Sequence, residues 1–317
     1  MFHIIGTGMY VPERIVTNDE LATMVDTNDE WIRQRVGIAE RHVSTNEWTS
    51  EMACKAAKEA LENANCKVED LDYILTASVS AEHVSPSTAC MLQKHLGATC
   101  PALEINAACS AFIFLLETAA GLFARKKAKK ILVVGAERLS GIIDWTDRST
   151  CIIFGDGAGA AVLSDDQDGY LDSVVTVQGG DDVIKIPHFV GTSPFFTKEN
   201  DSPYIHMQGQ ETFKYAVNAI CNDIRTLVER NNLTMEDIKY IVPHQANQRI
   251  IDFAARRLGV PMEKFALNID RYGNTSSASI PIALDEINRS GALSSGDYVI
   301  LTAFGGGLSN AACLLRW

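Results

Sequence analysis

Short apolar runs alternate along this chain with stretches in which apolar residues recur every three or four positions. The runs predict strands and the stretches predict amphipathic helices. The opening residues, from Met1 to Gly6 or Gly8, predict a strand. Thr27-Asn28-Asp29-Glu30 is a helix-start pattern ahead of Trp31 and Arg35, and Gly37 stops that helix. Glu51–Ala64 places Ala53, Ala56, Ala57, Ala60 and Leu61 on one helical side. Strands are expected at Tyr73–Ala77, Ala102–Ile105 (buried), Ile131–Gly135 (buried) and Ala160–Leu163. Helices are expected from Pro86 to Leu96, ended by Gly97, and from Cys109 onward through Phe112, Leu115, Leu116 and Ala119. A loop carries Trp145 and Arg148.

The second half repeats this order. Helices are expected at Gly209–Glu229, Gln245–Leu258 and Asn274–Asn288. Strands are expected at Lys239–Pro243, Phe265–Ile269, Tyr298–Ala303 and Ala311–Leu315. Each half ends on a glycine turn leading into a strand, Gly155-Asp156-Gly157-Ala158-Gly159 in one and Gly305-Gly306-Gly307 in the other. We read an internal duplication, in an α/β chain whose sheets are mainly parallel. The halves are residues 1–170 and 171–317. Residues 165–208 are expected to be a loop-rich join, broken by Asp181, Pro187, Gly191, Pro194 and Pro203. The first glycine turn leads into a strand, not a helix, which argues against a dinucleotide-binding turn.

Composition narrows the function classes. The chain has 317 residues, 46% of them hydrophobic, enough for a large core and about two domains. A net charge of −12 disfavours nonspecific nucleic-acid binding. Eight cysteines (Cys54, Cys66, Cys90, Cys100, Cys109, Cys151, Cys221 and Cys313) include no CxxC pair, so a cytoplasmic enzyme with reduced thiols is expected and a zinc site is not. His42, His83, His95, His188 and His206 show no metal-ligand spacing. The start of the chain carries no signal-peptide pattern, and no apolar run reaches the ~18 residues of a membrane span.

Cys109 follows a strand and heads a helix, flanked by Asn106-Ala107-Ala108 and Ser110-Ala111. Small neighbours leave the thiol accessible, and a helix N-terminus favours its thiolate. Under the duplication, Asn274 takes the matching place in the second half, and His244 ends that half's first strand. Sites in parallel sheets gather beyond strand carboxyl ends, so the three are expected to converge. Singly, each has a plainer use: a core thiol, a strand-end imidazole, a helix cap. Together they fit two chemistries. One is hydrolysis through an acyl-enzyme, with the imidazole as base and the amide as orienter. The other is condensation, in which Cys109 takes an acyl group from a thioester. His244 and Asn274 then donate hydrogen bonds to the carbonyl of a carrier-bound malonyl thioester as CO2 leaves. Condensation needs a dry pocket, which Phe112, Leu115, Phe304 and Leu308 would supply.

The combination resembles the β-ketoacyl-acyl-carrier-protein synthase III family, the initiating condensing enzymes of type II fatty acid synthesis in the thiolase-like superfamily. The stretches that carry it are Ile4-Ile5-Gly6-Thr7-Gly8, Asp29-Glu30-Trp31-Ile32, Ala107-Ala108-Cys109-Ser110, Phe154-Gly155-Asp156-Gly157-Ala158-Gly159, Pro243-His244-Gln245-Ala246-Asn247, Arg271-Tyr272-Gly273-Asn274-Thr275-Ser276 and Ala303-Phe304-Gly305-Gly306-Gly307. The resemblance implies a thiolase-like, five-layered αβαβα fold from two pseudo-duplicated halves, and a homodimer. It implies an acyl-Cys109 intermediate, His244 and Asn274 as the decarboxylation pair, and an oxyanion hole from the amides of Cys109 and Gly306. It implies coenzyme A thioesters as substrate, with no further cofactor and no metal. Trp31 and Arg148 would sandwich the adenine, with Thr27 and Arg35 nearby, and Gly209, Phe213 and Asn247 would line the pantetheine channel. Arg249, Arg256 and Arg257 would meet the acidic acyl carrier protein. Val84 stands where many members carry a phenylalanine that reaches the partner's acyl pocket, beside Phe304; the smaller residue would admit longer or branched primers. Gln248 and Ser309-Asn310 also depart from the usual pattern. The alternatives are a thiolase-fold acyltransferase of specialised, polyketide-like metabolism, a cysteine hydrolase, and a non-catalytic partner of a condensing enzyme.

Overall fold

The alternating pattern resolves into two large sheets with helices on every face. The computed structural model of the chain describes residues 2–187, 194–195, 197, 199 and 202–317. Gly191 and His188, read above as a chain breaker and an ordinary polar residue, lie outside the described residues. The first sheet contains β1 (His3–Tyr10), β2 (Tyr73–Ala77), β3 (Ala102–Glu104), β4 (Lys130–Glu137) and β5 (Gly157–Ser164), in the order β1-β5-β4-β2-β3. The second contains β6 (Tyr170–Val177), β7 (Ile238–Pro243), β8 (Tyr298–Gly305) and β9 (Ser309–Arg316), in the order β7-β8-β9-β6.

The longer helices are α1 (Asp29–Val36), α2 (Thr49–Asn63), α3 (Thr88–Leu96), α4 (Ala111–Ala124), α5 (Gly209–Arg230), α6 (Gln248–Leu258) and α7 (Ser279–Arg289). Burial sorts them into layers. Alanines of α2 cover the outer face of the first sheet through Ile74, Leu132, Val134 and Val162. The outer face of the second sheet, with Ile241, Ile300 and Leu314, is covered by α5 and α6. Between the sheets lie α4 and α7, whose Phe112, Leu115, Ile280 and Leu284 pack against Val133 and Leu163 on one side and Val242 and Leu301 on the other. The result is five layers, αβαβα. The apolar content of α4 follows from that middle position. A helix with sheets on both sides has no solvent face to fill with charge, whereas α2 keeps Lys55, Lys58, Glu59 and Glu62 outside.

Several expectations change. The sheets are mixed: β1-β5 and β5-β4 are antiparallel while β4-β2 and β2-β3 are parallel, and only β7-β8 is parallel in the second sheet. In the second half the last strand returns through the tight turn between Gly305 and Ser309, which forces an antiparallel neighbour. β3 is an edge strand with Leu103 at 37% exposure, not a buried one. The loop-rich join contains β6, an eight-residue strand paired with β9. Its partly polar sequence, Tyr-Leu-Asp-Ser-Val-Val-Thr-Val, suits an edge and hides it from a search for apolar runs. The expected strand at Phe265–Ile269 shrinks to a single parallel bridge from Phe265 to Ile241. Pro86 precedes α3, whose cap is Ser87 accepting from the Cys90 amide.

The duplication itself holds, but its register at the site is different from the expected one. A 3-10 turn over Ala108–Ser110 leads into α4, and a 3-10 turn over Ser276–Ala278 leads into α7. Ala108 and Ser276 share an unusual left-handed backbone, φ 49° and 48°. Two residues before each, an asparagine Oδ1 accepts its backbone N–H: Asn106 from Ala108 at 3.3 Å, Asn274 from Ser276 at 2.8 Å. Asn274 therefore matches Asn106, and the counterpart of Cys109 is Ser277.

Each of these turns rests on the other half's glycine turn. Asn274 bridges Phe154, with Gly155 N–H donating to the Asn274 carbonyl at 3.0 Å and Asn274 N–H donating to Ile153 at 2.9 Å. A Cβ on Gly155 would lie 2.2 Å from the Tyr272 carbonyl oxygen, inside any allowed contact. Gly155→Ala is expected to cost about 1–3 kcal/mol of folding stability in denaturant unfolding. Gly121→Ala, in open space on α4, should be neutral or stabilising. Equal midpoints for the two variants would contradict the close-approach account.

Candidate active site

The ends of β7 and β8 and the two helix-leading turns open onto one cleft of about 680 Å³. Its wall includes Cys109, His244, Asn274, Phe304 and Gly306, so the three residues expected to converge share one cavity. Further out the wall includes Trp31, Arg35, Gly209, Phe213, Asn247 and Arg249.

His244 is 2% exposed. Its Nδ1 lies 2.7 Å from the Ser279 hydroxyl, and its ring packs edge-on to Phe304 with centroids 5.4 Å apart. Burial takes the imidazole down to about 3. A carboxylate in place of Ser279 would favour the imidazolium; a hydroxyl does not. The one Ser279 proton has two acceptors in reach, Nδ1 and the Ser276 carbonyl at 2.9 Å; when it goes to Nδ1, Nε2 carries the ring proton and is a neutral donor.

Asn274 is 5% exposed. Because its Oδ1 is engaged by the Ser276 amide, the NH2 group is what it can offer a ligand. Cys109 is half-buried in the 3-10 turn, one residue before α4's cap. Burial pushes its thiol up to about 12, with Glu137 adding to the rise and Ser276 opposing it. This corrects the expectation of a favoured thiolate in the resting protein. The helix end is present, but among the described residues no cation is paired with the sulfur, and burial is the largest influence on it. The Cys109 amide lies against Gly305, where a Cβ would come within 2.8 Å of it.

At the mouth, Arg148 stacks over Trp31 at 5.1 Å and Arg35 approaches the same ring at 5.7 Å. Arg148 also donates to the Asp26 carbonyl at 2.6 Å. A base between Trp31 and Arg148 needs two contact distances of ~3.5 Å, so Arg148 must swing away to admit one. Thr27 and Arg148 lie outside the cleft wall proper. Asn247 caps α6, its Oδ1 accepting from the Arg249 amide at 2.9 Å, which leaves its NH2 group for the channel. Arg249 and Arg256 sit at the ends of an aromatic pair, over Phe213 at 6.0 Å and Phe253 at 4.4 Å. Arg257 donates to Asn218 on α5 at 2.5 Å. Val84 is 76% exposed on the loop before α3 and does not reach this chain's own cleft.

Reading the sequence missed the cleft wall supplied by the join, Ile184, Ile186, Ile205 and Met207. It also missed the supporting hydroxyls. The cluster Thr275-Ser276-Ser277-Ala278-Ser279 was the available signal, since consecutive small hydroxyl residues before an apolar helix are placed for local hydrogen bonds. Glu137, fully buried at the end of β4, accepts from Ser80 at 2.5 Å, Ser277 at 2.7 Å and the Val79 amide at 3.0 Å.

Comparison with known proteins follows this geometry. A family model described as 3-oxoacyl-[acyl-carrier-protein] synthase III matches residues 103–179, and one for the C-terminal part of the same family matches residues 228–317. The chain is 46% identical to the β-ketoacyl-[acyl-carrier-protein] synthase III of Clostridium acetobutylicum, over 99% of this chain and 98% of the relative. The crystal structure of 3-oxoacyl-[acyl-carrier-protein] synthase III from Aquifex aeolicus VF5 superposes with a TM-score of 0.93 at 43% identity, covering 100% of both chains. A priming β-ketosynthase of the R1128 polyketide pathway superposes with a TM-score of 0.92 at 34% identity, covering 100% of this chain and 96% of that one.

The low imidazole value has a consequence for acid stability. An unfolded His binds its proton near 6.5 and the folded His244 near 3, so between these values the unfolded chain holds more protons. The stability contributed by neutral His244 is complete above pH 6.5 and is lost as pH falls toward 3. Denaturant unfolding at pH 7 and pH 4.5 should show the parent protein losing on the order of 2 kcal/mol more than His244→Gln. An equal loss in both would contradict a buried neutral imidazole.

Proposed function

This chain belongs to the 3-oxoacyl-[acyl-carrier-protein] synthase III family, and from that premise we propose that it condenses a short acyl group from coenzyme A with malonyl-acyl carrier protein, releasing CO2 and starting fatty acid synthesis. The single observation that carries the reading is the cleft shared by a thiol, a neutral imidazole and an amide, the imidazole having no carboxylate partner and the amide NH2 no acceptor among the described residues.

In this reading the Cys109 sulfur attacks the acyl thioester carbonyl, and the thiol proton leaves with the departing coenzyme A as its own thiol. The oxyanion of the tetrahedral intermediate is met by the amides of Cys109 and Gly306. Malonyl-carrier then enters. Its thioester carbonyl gains negative charge as CO2 departs, and His244 Nε2–H and Asn274 NH2 donate to it. The resulting carbanion attacks the acyl-Cys109 carbonyl, forms the new carbon–carbon bond and expels the Cys109 thiolate, which takes a proton from water to restore the thiol. A neutral donor suits this step better than an imidazolium, which would be costly in a dry cavity. The same feature disfavours the hydrolase alternative, whose imidazole must accept a proton and gain charge. Identities of 46% and 43% to β-ketoacyl synthase III relatives, against 34% to the polyketide priming enzyme, favour the fatty acid role over specialised metabolism.

The coenzyme A thioester is the substrate, and the reaction requires no separate cofactor. Trp31 and Arg148 would clasp the adenine, with Thr27 and Arg35 beside it. Gly209, Phe213 and Asn247 would line the pantetheine arm, and Phe304 would wall the acyl end. Arg249, Arg256 and Arg257 would receive the acidic carrier protein. A homodimer would join through the open edge of β3, and it would bring Val84 to the partner's acyl pocket; the exposure of Leu103 and Val84 supports this. The cytoplasm, where coenzyme A thioesters and carrier protein are found together, is the fitting compartment.

Two measurements test the proposal. Intact mass after mixing with a panel of acyl-coenzyme A thioesters should give a one-acyl adduct that disappears in Cys109→Ala. An adduct surviving that change would move the nucleophile elsewhere. Arg249→Glu should lower kcat/KM at least tenfold with malonyl-carrier while changing acylation by coenzyme A thioesters less than threefold. Equal losses with both substrates would remove Arg249 from carrier docking.

A further inference from the structure

Ser309, after the glycine turn, is 2% exposed. Its hydroxyl lies 2.8 Å from the Ser110 hydroxyl, 3.1 Å from the Gly306 carbonyl oxygen and 3.4 Å from the Ala107 carbonyl oxygen. Ser110 in turn donates to Ala107 at 2.7 Å. Ser110 and Ala107 belong to the turn that carries Cys109; Gly306 belongs to the turn that carries the second amide. The two turns come from opposite halves of the chain, 199 residues apart at this contact.

Resting on the reaction assigned above, we propose that Ser309 is a positioning residue that, with Ser110, pins the Gly306 turn to the nucleophile turn and so fixes the spacing of the two oxyanion-binding amides. The physical requirement is strict. Backbone donors stabilise an oxyanion only when they are held near its eventual position before the reaction, so that no reorganisation accompanies the charge. A three-glycine turn has little intrinsic stiffness, because glycine backbones have the widest conformational freedom. The close approach of Gly305 to the Cys109 amide sets one contact, but it only forbids nearer approach. The Ser110–Ser309 hydrogen bond supplies the attractive half of the restraint. Each hydroxyl has one proton to give. The turns are tied when the two hydroxyls donate in series, Ser309 to Ser110 and Ser110 to Ala107, or Ser110 to Ser309 and Ser309 to Gly306.

The role separates the two half-reactions. Acylation uses the Cys109 and Gly306 amides, whereas malonyl decarboxylation uses His244 and Asn274, whose supports are Ser279 and the Ile153–Gly155 backbone. Ser309→Ala should therefore slow formation of the acyl adduct by about tenfold, below the ~100-fold loss of a deleted oxyanion donor. The fall in acylation rate should exceed the fall in malonyl-carrier decarboxylation at least fivefold, with KM for the acyl thioester within twofold. Ser309→Thr, which keeps the hydroxyl, should restore the acylation rate. Ser110→Ala reaches the same restraint from the other turn and should show the same split; it decides the matter if Ser309→Ala fails to fold. Acylation unchanged in both alanine variants, or equal loss in both half-reactions with no rescue by threonine, would overturn the assignment. A parent protein that forms no adduct at all would instead defeat the reaction on which it rests.

Discussion

The constraint on which the molecule depends is the reciprocal seating of each half's helix-leading turn on the other half's glycine turn. Cys109 lies against Gly305, and Asn274 is bridged to Phe154 and Gly155. Both contacts are backbone to backbone, both exclude a Cβ, and both lie at the ends of strands buried in the middle of the five layers. The left-handed residues Ala108 and Ser276 each cost free energy on the order of 1 kcal/mol or more, and they persist because the facing half leaves no other conformation. The duplicated architecture thus produces a site rather than merely containing one, since the backbones of Cys109 and Asn274 are each seated on the opposite copy, while His244 is held by Ser279 of its own.

The same packing sets the electrostatics. Walled by Ile184, Ile205, Phe304 and the two turns, the cleft penalises every charge inside it. The thiol rises to about 12 and the imidazole falls to about 3 for one common reason, desolvation. Ser279, a hydroxyl, does not reverse that trend behind His244, and Glu137 opposes ionisation of the sulfur. A site of this kind is poorly suited to an imidazole that cycles through a charged form. It is well suited to fixed neutral donors that meet a charge arising on the substrate and dispersing again. Charge is instead kept at the rim, where Arg249 and Arg256 flank the Phe213–Phe253 pair at the mouth of an otherwise acidic protein.

How much of this could be read without coordinates depends on the range of the interactions. Local hydrogen bonding and periodicity were legible: α1 ends at Gly37 in the left-handed form its position demanded, α6 ends likewise at Gly259, and the alanine face of α2 is the buried one. The order of elements, and with it the duplication, followed from the alternation of apolar runs and amphipathic stretches. Cys109, His244 and Asn274 stood out because their residue types and strand-end positions suit one another.

Other features were not legible because contacts distant in sequence create them. β6 is half polar and becomes a strand only because β9 offers an edge to pair with. Phe265 keeps one bridge where the first half keeps a strand, which no local pattern distinguishes. The match of Asn274 to Asn106 rather than to Cys109 rests on two φ angles, invisible in residue identity. The thiolate expected from a helix end was lost to desolvation by surroundings that the sequence places up to some two hundred positions away. The sequence by itself determined which segments would be helices and strands and which side chains had suitable chemistry, since those depend on neighbours a few residues apart. Only the tertiary structure decided which amides, hydroxyls and apolar walls face those side chains, because that is fixed where two halves of one chain exclude water from each other.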